Sequence, residues 1–363
     1  MQRSKPGILK LAAVGLVLAL GAAACGSDSG SSTAGGSSDT GATVKLSGTL
    51  KGSGATFPKA FYEVAIAAFQ QEQPGVTIEY AGGGSGTGRQ NLQDGQVDFA
   101  GSDGLVKDED KPKYKGEFLY VPTVAAPITV SYNLSGVKDL VLDATTIAKI
   151  FQRQITSWDD PAIKALNGSA TLPATDIVVA HRSDGSGTTE NFTKYLKAAA
   201  PDTWTLGSGA TVEWPSDTQA GNGNAGVASI VKDSKGAVGY VDLSDAKATG
   251  LSFATIVNKA GKPVKATLEG ASAALAGTTV NPDLTYNPLD ADGDGAYPIT
   301  APTWILVYKN QPDKAKGEAL KGFLTYVLND AQGMAADVDF ARLPDALRQK
   351  ALAQLDNIVL PAA

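Results

Sequence analysis

Beyond residue 45 the chain alternates short apolar runs with stretches in which apolar positions recur at helical spacing. Lys59 to Gln73 places Phe61, Val64, Ala65, Ala68 and Phe69 at i, i+3, i+4, i+7 and i+8, the stripe of an amphipathic helix. Pro58 fits its first turn, and Pro74-Gly75 stops it. Val76–Tyr80, Val97–Ala100, Ile128–Tyr132, Ile177–Ala180 and Pro298–Tyr308 read as strands. Thr146–Phe151, Gly317–Val327 and a segment from Thr188 with Phe192, Tyr195, Leu196 and Ala199 on one face read as helices. Strands and helices in alternation predict an α/β protein.

Composition narrows the chemistry. The 363 residues are 43% hydrophobic and 19% charged, an ordinary globular mixture that excludes wholesale disorder. The net charge of −6 argues against generic nucleic-acid binding. With one Cys and one His, the chain can build neither a disulfide framework nor a zinc site of the usual kinds. A Ser-His-Asp centre would have to use His181, which follows an apolar strand beside Arg182 and reads as a structural or rim residue.

The N-terminus explains the Cys. Arg3, Lys5 and Lys10 precede the apolar run Leu11–Leu20, which is short for a membrane span, and Gly21-Ala22-Ala23-Ala24 leads into Cys25. Residues 1–24 read as a secretory signal. Cys25 sits where the lipobox of bacterial lipoproteins requires it, although Ala22 stands where Leu is usual. Cleavage there would leave an acylated Cys25 tethering the protein to the outer face of a membrane. Residues 25–46 read as a flexible Gly/Ser-rich tether. Without the leader's three basic groups the charge becomes −9.

Three junctions before helices are rich in Gly, Ser and Thr: residues 52–58, 82–88 and 184–188. A helix start offers unpaired N–H groups and a positive dipole end, glycine lets a ligand approach the backbone, and hydroxyls add donors. Together, with Arg182 beside the third, they point to a small oxyanion. Neither a P-loop nor a Gly-x-Ser-x-Gly elbow occurs in them. Asp290–Gly295 resembles the start of a calcium loop, but its twelfth position is Ala301 rather than Glu, so it reads as an acidic turn.

Gly54-Ala55-Thr56-Phe57-Pro58, the loop around Ser85, Val97–Asp103 and Arg182-Ser183-Asp184-Gly185-Ser186-Gly187-Thr188 resemble the phosphate-binding proteins of bacterial high-affinity phosphate ABC transporters. Ile155–Asp160, Val212–Pro215, Gly221–Val227, Gly236–Val241 and Tyr297–Thr300 follow in the family's order, so the likeness spans roughly residues 47–360. It implies a type II periplasmic-binding-protein fold: one α/β lobe from 47–126 and 301–363, another from 127–300, two hinge crossings, and inorganic phosphate in the cleft. It implies backbone donors at Thr56 and Phe57 with the Thr56 hydroxyl, hydroxyl and backbone donors at Ser85, and a ring completed from the second lobe by Ser186, Gly187 and Thr188. Arg182 would be the cation, held by Asp184. Asp103 would select phosphate, since an ionised carboxylate accepts a proton that phosphate carries and sulfate lacks. The partners implied are an ABC permease with its ATPase, with no cofactor and no metal, and the protein acting as an extracytoplasmic monomer on a lipid anchor. Two other classes stay open from the residues: a phosphoesterase or hydrolase using Ser186, and an adhesion or signalling lipoprotein. Sulfate or molybdate is the nearest rival ligand.

Overall fold

The structure, a computed structural model, describes residues 45–168 and 170–362. The leader, Cys25 and nearly all of the tether lie outside the described residues. Among the described residues no helix is long and apolar enough to cross a membrane.

The first strands alternate with helices as the apolar pattern predicts. Strand β1 (Gly48–Gly54) feeds helix α1 (Lys59–Glu72), and β2 (Val76–Ala81) feeds α2 (Ser85–Asp94). Helix α1 buries Phe61, Ala65 and Phe69 together with Tyr62 and Ile66, and Phe69 packs its ring 5.6 Å from Phe323. Strand β3 (Phe99–Ser102) starts two residues later than its apolar pattern suggests. The 15-residue β4 (Phe118–Tyr132) follows. Next come β5 (Val178–Arg182) with α3 (Gly187–Ala199), β6 (Gln219–Gly221) with α4 (Gly223–Asp233), and β7 (Ala237–Asp242). The short β8 (Ser252–Phe253) and the long β9 (Thr300–Tyr308) complete the main sheet.

That sheet has the order β2-β1-β3-β9-β4-β7-β5-β6, with β8 on β4. Strands β1, β2 and β3 are mutually parallel, as are β5, β6 and β7, while β4 and β9 run antiparallel to their neighbours. Strand β4 changes partner in mid-course. Phe118 to Pro127 pair with β9, and Ile128 to Tyr132 pair with β7. Ile128 also donates its N–H to Ile299 O at 2.8 Å, so both passages of the chain from one set of strands to the other lie side by side.

Buried aromatics fill both sets, among them Phe61, Phe99 and Trp304 on one side and Trp158, Phe192 and Tyr240 on the other. A smaller cluster of Val227, Ala228, Val231 and Val241 seats α4 on the sheet. The helices α1, α2, α3 and α4 all begin just after the carboxyl end of a parallel strand, where open α/β sheets place their ligands.

Candidate anion-binding site

Four of those helix starts converge. Before α1 the N–H groups of Thr56 and Phe57 stand just ahead of Pro58, whose missing N–H costs nothing at a helix start. Ser186 caps α3, its Oγ accepting from Thr189 N at 3.1 Å. The N–H groups of Thr56, Phe57, Ser85, Gly187 and Thr188 find no protein acceptor among the described residues. Five donors left unpaired beside buried side chains make an environment suited to an anion.

The second glycine loop differs from its sequence reading. Its last four residues are already the first turn of α2, and Gly84 is the cap. Gly84 sits at φ +88, which L side chains rarely adopt, and a Cβ there would collide with the Asp184 carboxylate. Gly86 N donates to Gly185 O at 2.8 Å, so this loop docks on the Arg182 loop. Gly187 makes the other close approach: a Cβ would strike Ser85 Oγ and lie 2.7 Å from Asp103 Oδ2.

Asp103 follows β3 and is 2% exposed. Its Oδ1 accepts from Thr303 Oγ1 at 2.7 Å and its Oδ2 from Ser85 Oγ at 3.2 Å. The same Ser85 oxygen accepts from Asp103 N at 3.1 Å, and Asn191 Nδ2 donates to Asp103 O at 2.6 Å. Burial pushes the carboxyl up to about 7, against the pull of these hydroxyls and of Arg182 and Arg89. Ionisation of this carboxyl is therefore favoured only as pH rises through that range.

Arg182 ends β5, its side chain 1% exposed. Asp184 grips it in a fork, with Nε to Oδ1 at 2.8 Å and Nη2 to Oδ2 at 2.5 Å. Burial would raise the Asp184 carboxyl, but the Arg182 fork and the Gly223 N–H hold it below its ordinary range. Arg182 N donates to Tyr240 Oη at 3.1 Å. Of the eight anticipated site residues, Ser85, Ser186 and Thr188 are fully buried and Phe57, Asp103 and Arg182 nearly so. Thr56 stands at the edge, beside a cleft of about 500 Å³ that also meets Phe57, Asn224 and Asp245.

A sequence profile described as a PBP superfamily domain matches residues 31–331. "Phosphate-binding protein PstS 3" of Mycobacterium tuberculosis is 38% identical over 358 residues, 93% of this chain and 96% of its own. The chain belongs to this family of phosphate-binding proteins. Solved structures show the same fold. A high-affinity periplasmic phosphate-binding protein bound with phosphate matches with TM-score 0.72 at 22% identity, over 85% of this chain and 94% of its own. A candidate phosphate ABC transporter substrate-binding protein from Clostridium perfringens, with bound phosphate, matches at TM-score 0.61 and 20% identity, over 82% and 100%. The sheet described above is thus the type II periplasmic-binding fold of that family.

Within this family member the sequence reading passed over Thr303, Asn191, Tyr240 and Asp242 and gave Asn224 no role. Nothing local marks them: each comes from a distant part of the chain and gains its meaning only through its partner. His181 donates from Nδ1 to Arg182 O, 2.9 Å away, and stacks on Trp214 at 5.0 Å. Burial, rather than Arg182, lowers its imidazole from the ordinary range. In the acidic turn, Asp292 pairs with Lys259 at 2.9 Å.

Proposed function

We propose that this chain binds inorganic phosphate outside the cytoplasm and presents it to an ABC permease with its ATPase. The observation that carries the reading is the meeting of one buried carboxyl, Asp103, with one buried guanidinium, Arg182, among unpaired helix-start N–H groups. The cation and the N–H groups supply donors to the phosphate oxygens, and the hydroxyls of Thr56, Ser186 and Thr188 add to them, as does that of Ser85 once its proton turns from Asp103 to the anion. The carboxyl accepts the one proton that phosphate retains. Its raised affinity for protons strengthens that acceptance. Sulfate has no proton to offer and meets an ionised Asp103 as a repulsion. Related proteins with phosphate in their names, and phosphate in solved relatives, support the ligand.

The two strand sets act as lobes, 47–126 with 301–363 and 127–300, hinged where β4 changes partner and β9 begins. Contacts that span the sets, including Asn191 to Asp103 and Asn224 N to Thr56 Oγ1 at 3.3 Å, are those a closed state makes. Residues 1–24 direct export and Cys25 carries the lipid. Cys25→Ser is expected to move the protein from membrane to soluble fraction; retention on the membrane overturns the anchor.

Calorimetry tests the ligand reading. At about pH 8, where Asp103 is ionised, phosphate is expected to bind the wild type and sulfate is not. Asp103→Asn, whose amide can donate to sulfate, should lose that discrimination. Equal binding of both anions by the wild type contradicts the reading.

A further inference from the structure

A guanidinium carries five N–H donors in a rigid planar fork, so its direction is set by whatever accepts the donors that the ligand does not use. Asp184 takes the Nε donor and one on Nη2. A third goes from Nη1 to Asn224 Oδ1 at 2.7 Å, while Thr188 Oγ1 lies 3.4 Å from the same nitrogen. Asn224 lies in the first turn of α4 and is fully buried.

An amide can present either its oxygen or its NH₂ group, and only the oxygen suits Arg182. Asp242 fixes the choice. Its Oδ2 accepts from Asn224 Nδ2 at 2.7 Å, and its Oδ1 accepts from Asp245 N at 3.0 Å as the cap of the helix Leu243–Thr249. Each oxygen of this 1% exposed carboxyl accepts from one of these donors, with the Asp245 carboxyl as a further polar neighbour, so the Asn224 oxygen is left for Arg182. Asp242 itself closes β7 opposite Ile128, at the passage where β4 changes partner. The Asn224 backbone N–H meanwhile occupies Thr56 Oγ1 on the other strand set, which leaves that hydroxyl's proton to turn towards an anion.

We propose that Asn224 and Asp242 are positioning residues for phosphate, a buried chain Asp242–Asn224–Arg182 that aims at the anion the free Nη2 N–H and the Nη1 N–H that otherwise meets Thr188 Oγ1. The proposal rests on the phosphate reading above. Arg182 is then held from both sides, by Asp184 along one edge and by Asn224 along the other. The second support is tied to the hinge strand, so Arg182 keeps its aim as the lobes move.

A reciprocal exchange separates this from a merely structural role. In Asn224→Asp a carboxylate faces Arg182 but also faces the Asp242 carboxyl. In Asp242→Asn the polarity lock is lost, because the single amide oxygen then at position 242 cannot accept from both neighbours. Each single variant is expected to weaken phosphate binding by roughly tenfold or more. The double variant restores donor to acceptor at every link. The carboxylate now at position 224 accepts from Arg182 and from the amide at position 242, whose oxygen accepts from Asp245 N. It should bind within about threefold of the wild type.

Thermal melts accompany the titrations. Burial and the Asp245 charge push the Asp242 carboxyl up, so Asp242→Asn removes a buried ionisable group and its Tm is expected to hold or rise while affinity falls. Single variants that bind like the wild type, or a double variant no better than Asn224→Asp, overturn the positioning chain alone. A wild type that fails to bind phosphate in the same titrations overturns the functional reading, and this inference with it.

Discussion

On the proposed reading Asp103 sets selectivity, and its burial also carries a cost in stability. A carboxyl whose folded value is raised binds its proton more tightly in the native state than in the unfolded one. The stability from that proton is fully present below the ordinary value of 3.8 and is lost as pH rises towards about 7. A shift of that size corresponds to a few kcal/mol, on the order of one decade in the equilibrium per unit. Asp103→Asn carries no such titration. In phosphate-free protein the Tm of Asp103→Asn minus that of wild type is therefore expected to grow from about pH 4 to about pH 7 and then level off. A difference that stays flat across that range contradicts the burial argument. The sequence displayed Asp103 at a strand end, but not this: its burial, and the Thr303 and Asn191 groups that hold it, come from distant parts of the chain.

At the scale of elements, the apolar periodicity located the helices from Lys59, Thr188 and Gly317 to within three residues, because each packs a continuous stripe on the sheet. Helix α2 escaped it. With only Ser85, Gly88 and Leu92 buried, it has little apolar stripe to read, and its first turn was taken for loop. The first half of β4 was missed for the opposite reason, since a strand buried on both faces shows no alternation. Gly187 is where two elements meet most closely. Gly187→Ala puts a methyl against Ser85 and Asp103 and should keep α3 from docking on α2. Small-angle scattering is expected to show the wild type contracting when phosphate is added and Gly187→Ala remaining extended, with affinity down by at least roughly tenfold. No contraction of the wild type contradicts lobe closure.

For the whole molecule, the resemblance carried the type II architecture, which periodicity alone does not show, while the strand order and the long shared strand come from the structure. Charge raises the remaining physical question. A chain at −6, or −9 without its leader, repels an anion at long range. On the proposed reading, binding comes from contacts buried beyond the reach of bulk screening, with Arg182 and the helix-start N–H groups outweighing the overall field. A basic surface would steer phosphate in and would weaken steeply with salt. A buried ring has little to lose. The deciding measurement is a phosphate titration of the wild-type protein at about pH 8, in low and high salt, each repeated with excess sulfate. The account predicts one phosphate per chain, a Kd that changes by less than about threefold with salt, and no displacement by sulfate. Absence of phosphate binding, a steep loss of affinity with salt, or competition by sulfate at comparable concentration would contradict it.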